Sequence, residues 1–110
     1  MFMQEFHVRT QIETETLTAW IEASWLIPRQ EAAEPSFSEA DVARAQLIRD
    51  LKEDLGVNDD GVEVILNLVD QIHGLRQTLS DLIQAVHSQP ETVQQRIAAV
   101  LHEARAPKDA

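Results

Sequence analysis

Five carboxylates crowd one short stretch of this chain: Asp50, Glu53 and Asp54, then Asp59 and Asp60. Such a cluster reads either as a solvated face with ordinary helix capping or as a patch that meets a basic surface. In the second case the charges set association rate and salt dependence, and nearby apolar residues set affinity. The other reactive side chains are sparse. His7, His73, His87 and His102 form no ligand set. His87 and Glu91 are four apart, but Pro90 interrupts the helix between them. Asp70 and His73 share a helix face, and two ligands do not make a zinc site. There is no cysteine, so disulfides, thiolate metal sites and cysteine nucleophiles are excluded. No glycine-rich phosphate loop, Ser/His/Asp constellation or buried carboxylate pair stands out, so neither catalysis nor a bound cofactor is expected. Trp20 and Trp25 recur at helical spacing. This places Trp20 in a core and leaves Trp25, at the helix end, open between core and binding surface.

The charge balance narrows the partners. Nineteen acids face nine bases, for a net charge of −10 over 110 residues. A nucleic-acid binder draws most of its non-specific affinity from Lys and Arg on phosphates, and Lys52 is the only lysine before Lys108. Nucleic acid is therefore an improbable ligand. The acidity serves solubility, or draws in a partner with a basic face. No segment is apolar over the roughly 18–20 residues of a membrane span. Met1-Phe2-Met3-Gln4-Glu5 does not read as a signal peptide, so a cytoplasmic protein is expected.

These residues need elements to hold them. Gln4 to Val8 reads as a short helix, or equally as a strand, because Phe6, Val8 and Thr10 alternate. After a turn at Thr10–Glu13, Thr14 caps a second helix with Leu17, Trp20, Ile21 and Trp25 on one face. Pro28 ends it near Trp25 or Leu26. Residues 28–36 read as a linker, flanked by Leu26-Ile27 and Phe37, which pair as a two-stranded wing. Ser38 with Asp41 is an N-cap signature. The third helix runs from Glu39 to Leu55, with Val42, Ala45, Ile48, Leu51 and Leu55 inward. Gly56 stops it in the left-handed conformation, and Asn58 or Asp59 caps the fourth helix.

The fourth helix extends from about Asp60 to His87. Ile65, Leu68, Ile72, Leu75, Leu79, Leu82 and Val86 keep a 3-4 spacing over about three heptads. Ile65, Leu68 and Val69 are expected to pack on the N-terminal part. Leu75, Leu79, Leu82 and Val86 are expected to meet another helix: the same helix of a second subunit, giving a homodimer, or the fifth helix folded back. Gly74, off the seam, marks a bend or a close contact. A fifth helix follows from Glu91 to about Ala104, and the tail Arg105 to Ala110 reads as frayed. The expected organisation is one domain overall, divided into 1–57, 58–88 and 89–110.

Short helices, a proline-bounded wing, a third helix and a long fourth helix make an all-α (mostly) winged helix-turn-helix plan. The order resembles the MerR superfamily. It is most similar to a shortened branch, the chaperone-modulator proteins of the CbpM type. The resemblance rests on Leu26-Ile27-Pro28, on residues 37–44, on the leucine-rich helix 47–55 with its Leu55-Gly56-Val57-Asn58 turn, on Gly61-Val62 entering the long helix, and on Leu75-Arg76. It spans roughly residues 4–86. It implies a bacterial cytoplasmic protein that binds the J-domain of a CbpA-type co-chaperone and blocks its stimulation of the Hsp70 DnaK. In that picture the J-domain meets Hsp70 through a basic helix, for which an acidic modulator competes. The sequence departs from the MerR pattern where DNA contact would occur. Thr14 to Ser24 contains no Lys or Arg, and the wing has only Arg29. A helix that reads base edges needs basic or amide side chains.

Overall fold

The computed structural model describes residues 1–106. The expected tail lies, from residue 107 on, outside the described residues. The chain divides into two compact units, residues 1–68 and 69–110. The elements are α1 (Met3–Thr10), α2 (Thr14–Glu22), β1 (Arg29–Glu31), β2 (Glu34–Ser36), α3 (Glu39–Arg49), a π-helical turn (Asp50–Asp54), α4 (Asp59–His87) and α5 (Glu91–Arg105). This is a mostly helical winged helix-turn-helix.

In the first unit, the ambiguous N-terminal segment is helix. Phe6 is fully buried from α1 and stacks on Phe37 with ring centroids 4.0 Å apart and planes 8° from parallel. Alternation along 6–10 does not win, because a lone strand here has no sheet to join. Thr10 is buried at the end of α1. Its hydroxyl donates to the Phe6 carbonyl at 2.9 Å and accepts from the Ile12 N–H at 3.3 Å, so no polar atom is stranded. The helix-turn-helix turn then passes through Gln11 at φ 59°.

Helix α2 ends three residues earlier than the proline alone dictates. Ser24 adopts φ 61°. Its N–H donates to the Ile21 carbonyl, and the Trp25 N–H reaches back to Trp20 at 2.9 Å. This pair of bonds is a Schellman stop. Its usual apolar contact is the Trp20–Trp25 ring pair, 6.4 Å between centroids. Thr14 is the first helical residue rather than the cap: Glu13 holds the cap position, with no side-chain bond to the helix.

The wing also differs from expectation. Leu26 and Phe37 are buried in the core rather than paired as strands. The stretch read as a linker is itself the hairpin, with Arg29 opposite Ser36, Gln30 opposite Pro35 and Glu31 opposite Glu34. Ala32 and Ala33 make its two-residue turn, both at positive φ. Composition hid this turn, since such turns favour Asn-Gly or Asp-Gly.

Ser38 opens α3 with a full capping box: its N–H donates to Asp41 at 2.8 Å and its hydroxyl accepts from the Asp41 N–H at 3.2 Å. Val42, Ala45, Ile48 and Leu51 are buried as expected. Leu55 is not; it is 70% exposed. The wider i→i+5 turn slips the phase of the helix face, so the next residue of the stripe rotates to solvent. The Leu55 N–H bonds to Asp50 and the Val57 N–H to Leu51, closing the turn around Gly56 at φ 65°. Asn58 then caps α4, its Oδ1 accepting from the Gly61 N–H at 2.8 Å. Val62 and Leu66 are the α4 residues buried in this unit; Ile65 is half-buried and Leu68 is 53% exposed, while Val69, also half-buried, opens the second unit. The core face therefore runs along one side of the heptad seam, not down it.

In the second unit, the remainder of α4 and the whole of α5 flank an open apolar groove lined by Leu79, Leu82, Ile83, Val86, Ile97 and Leu101, among others. None of its described residues is buried. Nothing lies within 4 Å of where a Gly74 Cβ would stand, so this glycine marks no close contact.

Candidate functional site

The five acids flank a single connection. Asp50, Glu53 and Asp54 lie on the π-turn that ends the third helix, and Asp59 and Asp60 fill the first turn of α4. All five are exposed. Between them stands Leu55, its side chain presented to water beside Gly56.

Asp59 and Asp60 have a local reason to be there. A helix N-terminus carries partial positive charge and favours carboxylates. Asp59 is also paired with the Lys52 ammonium. That ammonium sits over the Trp25 ring, 5.6 Å from its centroid, and the buried Trp25 indole N–H donates to Glu63 at 3.4 Å. Trp25 is thus a core residue that ties the acidic connection to α2. Trp20 is core as well.

Asp50, Glu53 and Asp54 have no such reason. They stand at a helix C-terminus, where the dipole disfavours anions. Among the described residues none of the three is ion-paired. Helix capping does not account for these three.

The charge is unevenly spread. Fourteen of the nineteen acids and five of the nine bases lie in residues 1–68, so this unit carries nine of the ten net negative charges. Four of its five bases are engaged internally. Arg9 grips Glu39 through two bonds of 2.8 and 2.6 Å. This hydrogen bond holds the Glu39 carboxyl below its ordinary range and raises the Arg9 guanidinium. Arg44 Nε donates to the Trp25 carbonyl at 2.5 Å, and Arg49 donates to the Thr10 carbonyl at 2.8 Å. Arg49 thereby caps the carbonyl end of α1, where the dipole favours a cation, and Arg44 holds the chain just beyond the end of α2. Lys52 holds Asp59. The outward face of α2 carries Glu15, Thr18, Ala19 and Glu22 and no cation. A duplex laid against it would meet carboxylates, with little to neutralise phosphates.

The remaining candidates divide simply. Leu75, Leu79 and Leu82 are exposed and Val86 is half-buried. Leu79, Leu82 and Val86 line the groove beside α5, and Leu75 lies one turn before it. His7 Nδ1 is 2.6 Å from the Ile12 carbonyl, a contact that braces the first turn. Among the described residues no group of three His, Asp or Glu side chains converges to hold a metal. Sequence reasoning missed Leu55 as a surface residue and the π-turn that exposes it. The available signal was three acids at the wrong end of a helix dipole.

No helix of the described residues is long and apolar enough to cross a membrane. No curated protein matches the chain. The family model described as "MerR HTH family regulatory protein" matches residues 1–84, which take in the helix-turn-helix, the wing, α3 and most of α4. With the winged unit in place and three quarters of its length matched, this chain belongs to the MerR family of helix-turn-helix regulatory proteins.

Proposed function

We propose that this MerR-family chain acts on a protein rather than on DNA, as a chaperone modulator of the CbpM type. Its partner is the basic face of a J-domain in a CbpA-type co-chaperone. By covering that face in the cytoplasm it blocks stimulation of the Hsp70 DnaK, and it carries out no catalysis. The observation that carries this reading is the distribution of charge: a winged unit with nine net negative charges, four of five cations spent on its own carbonyls and carboxylates, and three acids held against the helix dipole beside an exposed leucine. Asp50, Glu53, Asp54, Asp59 and Asp60 steer the encounter, and Leu55 supplies the apolar contact. The chain acts as a homodimer through Leu75, Leu79, Leu82 and Val86, which need cover.

The test is the J-domain-stimulated ATPase of the Hsp70. Added protein should suppress the stimulated rate and leave the basal rate unchanged; an unaltered stimulated rate at saturating protein overturns the proposal. A second reading, a DNA-binding regulator, has the family description in its favour. A specific shift of duplex DNA at physiological salt would establish it.

A further inference from the structure

Lys52 is the one Lys or Arg between Arg49 and Arg76, in a stretch where Asp and Glu supply every other formal charge. A lysine kept only for solubility holds its ammonium out in water. This one folds back. Its ammonium pairs with Asp59 across the connection and stands 5.6 Å from the centroid of the buried Trp25 ring. Its side chain is 34% exposed, against 70% for that of Asp59. The Trp25 indole N–H in turn donates to Glu63, one turn further along α4 than Asp59. A single ammonium therefore joins the π-turn, the first turn of α4 and a core ring, and the ring is bonded to α4 a second time. An exposed ion pair alone contributes little; the aromatic face of a buried ring adds a second attraction for the same cation.

The turn itself needs holding. By helical spacing Leu55 follows Ile48 and Leu51, both buried, on the inner face that α3 begins. In an unbroken α-helix its N–H would bond to Leu51. It bonds instead to Asp50, and the side chain turns to solvent. An exposed leucine and three acids at a helix C-terminus both work against this conformation. We propose that Lys52 is a latch. By gripping Asp59 and covering Trp25 it keeps the π-turn in the form that presents Leu55 beside the acidic cluster. Lys52 is thus a positioning residue: it acts through Leu55 and not by touching the partner. This rests on the J-domain reading above and adds to it the residue that sets how the apolar contact is displayed.

The experiment compares the full chain with its Lys52→Met, Asp59→Asn and Lys52→Arg variants. Methionine keeps an apolar stem against Trp25 without the ammonium, and arginine can serve both partners. Amide hydrogen exchange at Leu55 and Val57 reads the latch in the free protein, and the dissociation rate from an isolated J-domain reads its consequence. Exchange at both amides is expected to quicken at least about tenfold in Lys52→Met and Asp59→Asn, with Lys52→Arg near the wild type. Dissociation should quicken at least about threefold in the same two variants. The two change the charge of the cluster in opposite directions, so charge alone would move binding in opposite directions. Unchanged exchange in both overturns the latch. Faster exchange throughout the first unit, core amides of α3 included, marks general destabilisation and overturns it too. Faster local exchange with an unchanged dissociation rate overturns the positioning role and leaves the J-domain reading intact. A wild type that binds no J-domain overturns that reading, and exchange alone then decides the latch.

Discussion

A Cβ on Gly61 would stand 2.6 Å from Cγ1 of Val57, closer than non-bonded carbon atoms approach. Val57 is half-buried where the π-turn gives way to α4, and its branched side chain has little freedom to yield. The backbone of α4 is therefore seated directly on the connection that displays the acidic cluster.

Gly61→Ala should lower stability by up to about 2 kcal/mol, because an overpacking cost of about 1–3 kcal/mol outweighs the roughly 1 kcal/mol helix preference of alanine. The same change at Gly74, which has open space around it, should raise stability by about 0.5–1 kcal/mol. Urea denaturation of both variants checks the opposite signs. Equal effects at the two sites would remove the close approach from consideration.

Ser24 occupies the left-handed position of the Schellman stop with a Cβ. Ser24→Gly should stabilise the first unit by about 0.5–1 kcal/mol, since glycine takes this conformation without steric cost. Replacing Ala32-Ala33 by Asn-Gly should act in the same direction on the wing, which needs positive φ at both positions. The midpoint of thermal unfolding reads both.

The acids of the π-turn should show a trade between stability and association. Asp50→Asn, Glu53→Gln and Asp54→Asn together relieve an unfavourable dipole contact of about 0.3–1 kcal/mol each. The triple variant should be at least as stable as the wild type while its association with a J-domain slows and loses salt dependence. Unchanged association rates would take this patch out of the proposal.

The Arg9–Glu39 pair sets a sign for pH. Its hydrogen bond lowers the Glu39 carboxyl pKa in the folded state. The unfolded chain therefore binds a proton more readily, and stability falls as pH drops from the ordinary glutamate range through the lowered one. Glu39→Gln should flatten that part of the stability profile, with only a small effect at neutral pH because the pair is exposed. A profile identical to the wild type would show that the pair contributes nothing.

Much of the fold was legible because local chemistry and burial agreed. Ser38 with Asp41 announced α3, and Val42, Ala45, Ile48 and Leu51 announced its inner face. Gly56 and Asn58 marked the turn into α4. The failures have physical causes. The wing turn is built from Ala32 and Ala33, which carry no turn signature. Ser24 ends α2 without glycine, three residues ahead of the position suggested by Pro28. Leu55 fits a helical stripe by spacing, and only the π-turn removes it. Along α4 the heptad was clear, yet the core takes Val62 and Leu66 to one side, leaving Leu68 and Leu75 exposed. The acidic cluster could be read from sequence as a group, whereas the internal engagement of Arg44 and Arg49 could not, since both bond to carbonyls distant in the chain.

The decisive measurement is a titration of the purified protein, at physiological ionic strength, against an isolated J-domain and against duplex DNA. The expected result is J-domain binding that weakens as salt rises, with no shift of the duplex. Tight duplex binding with no J-domain signal would contradict the account at its root.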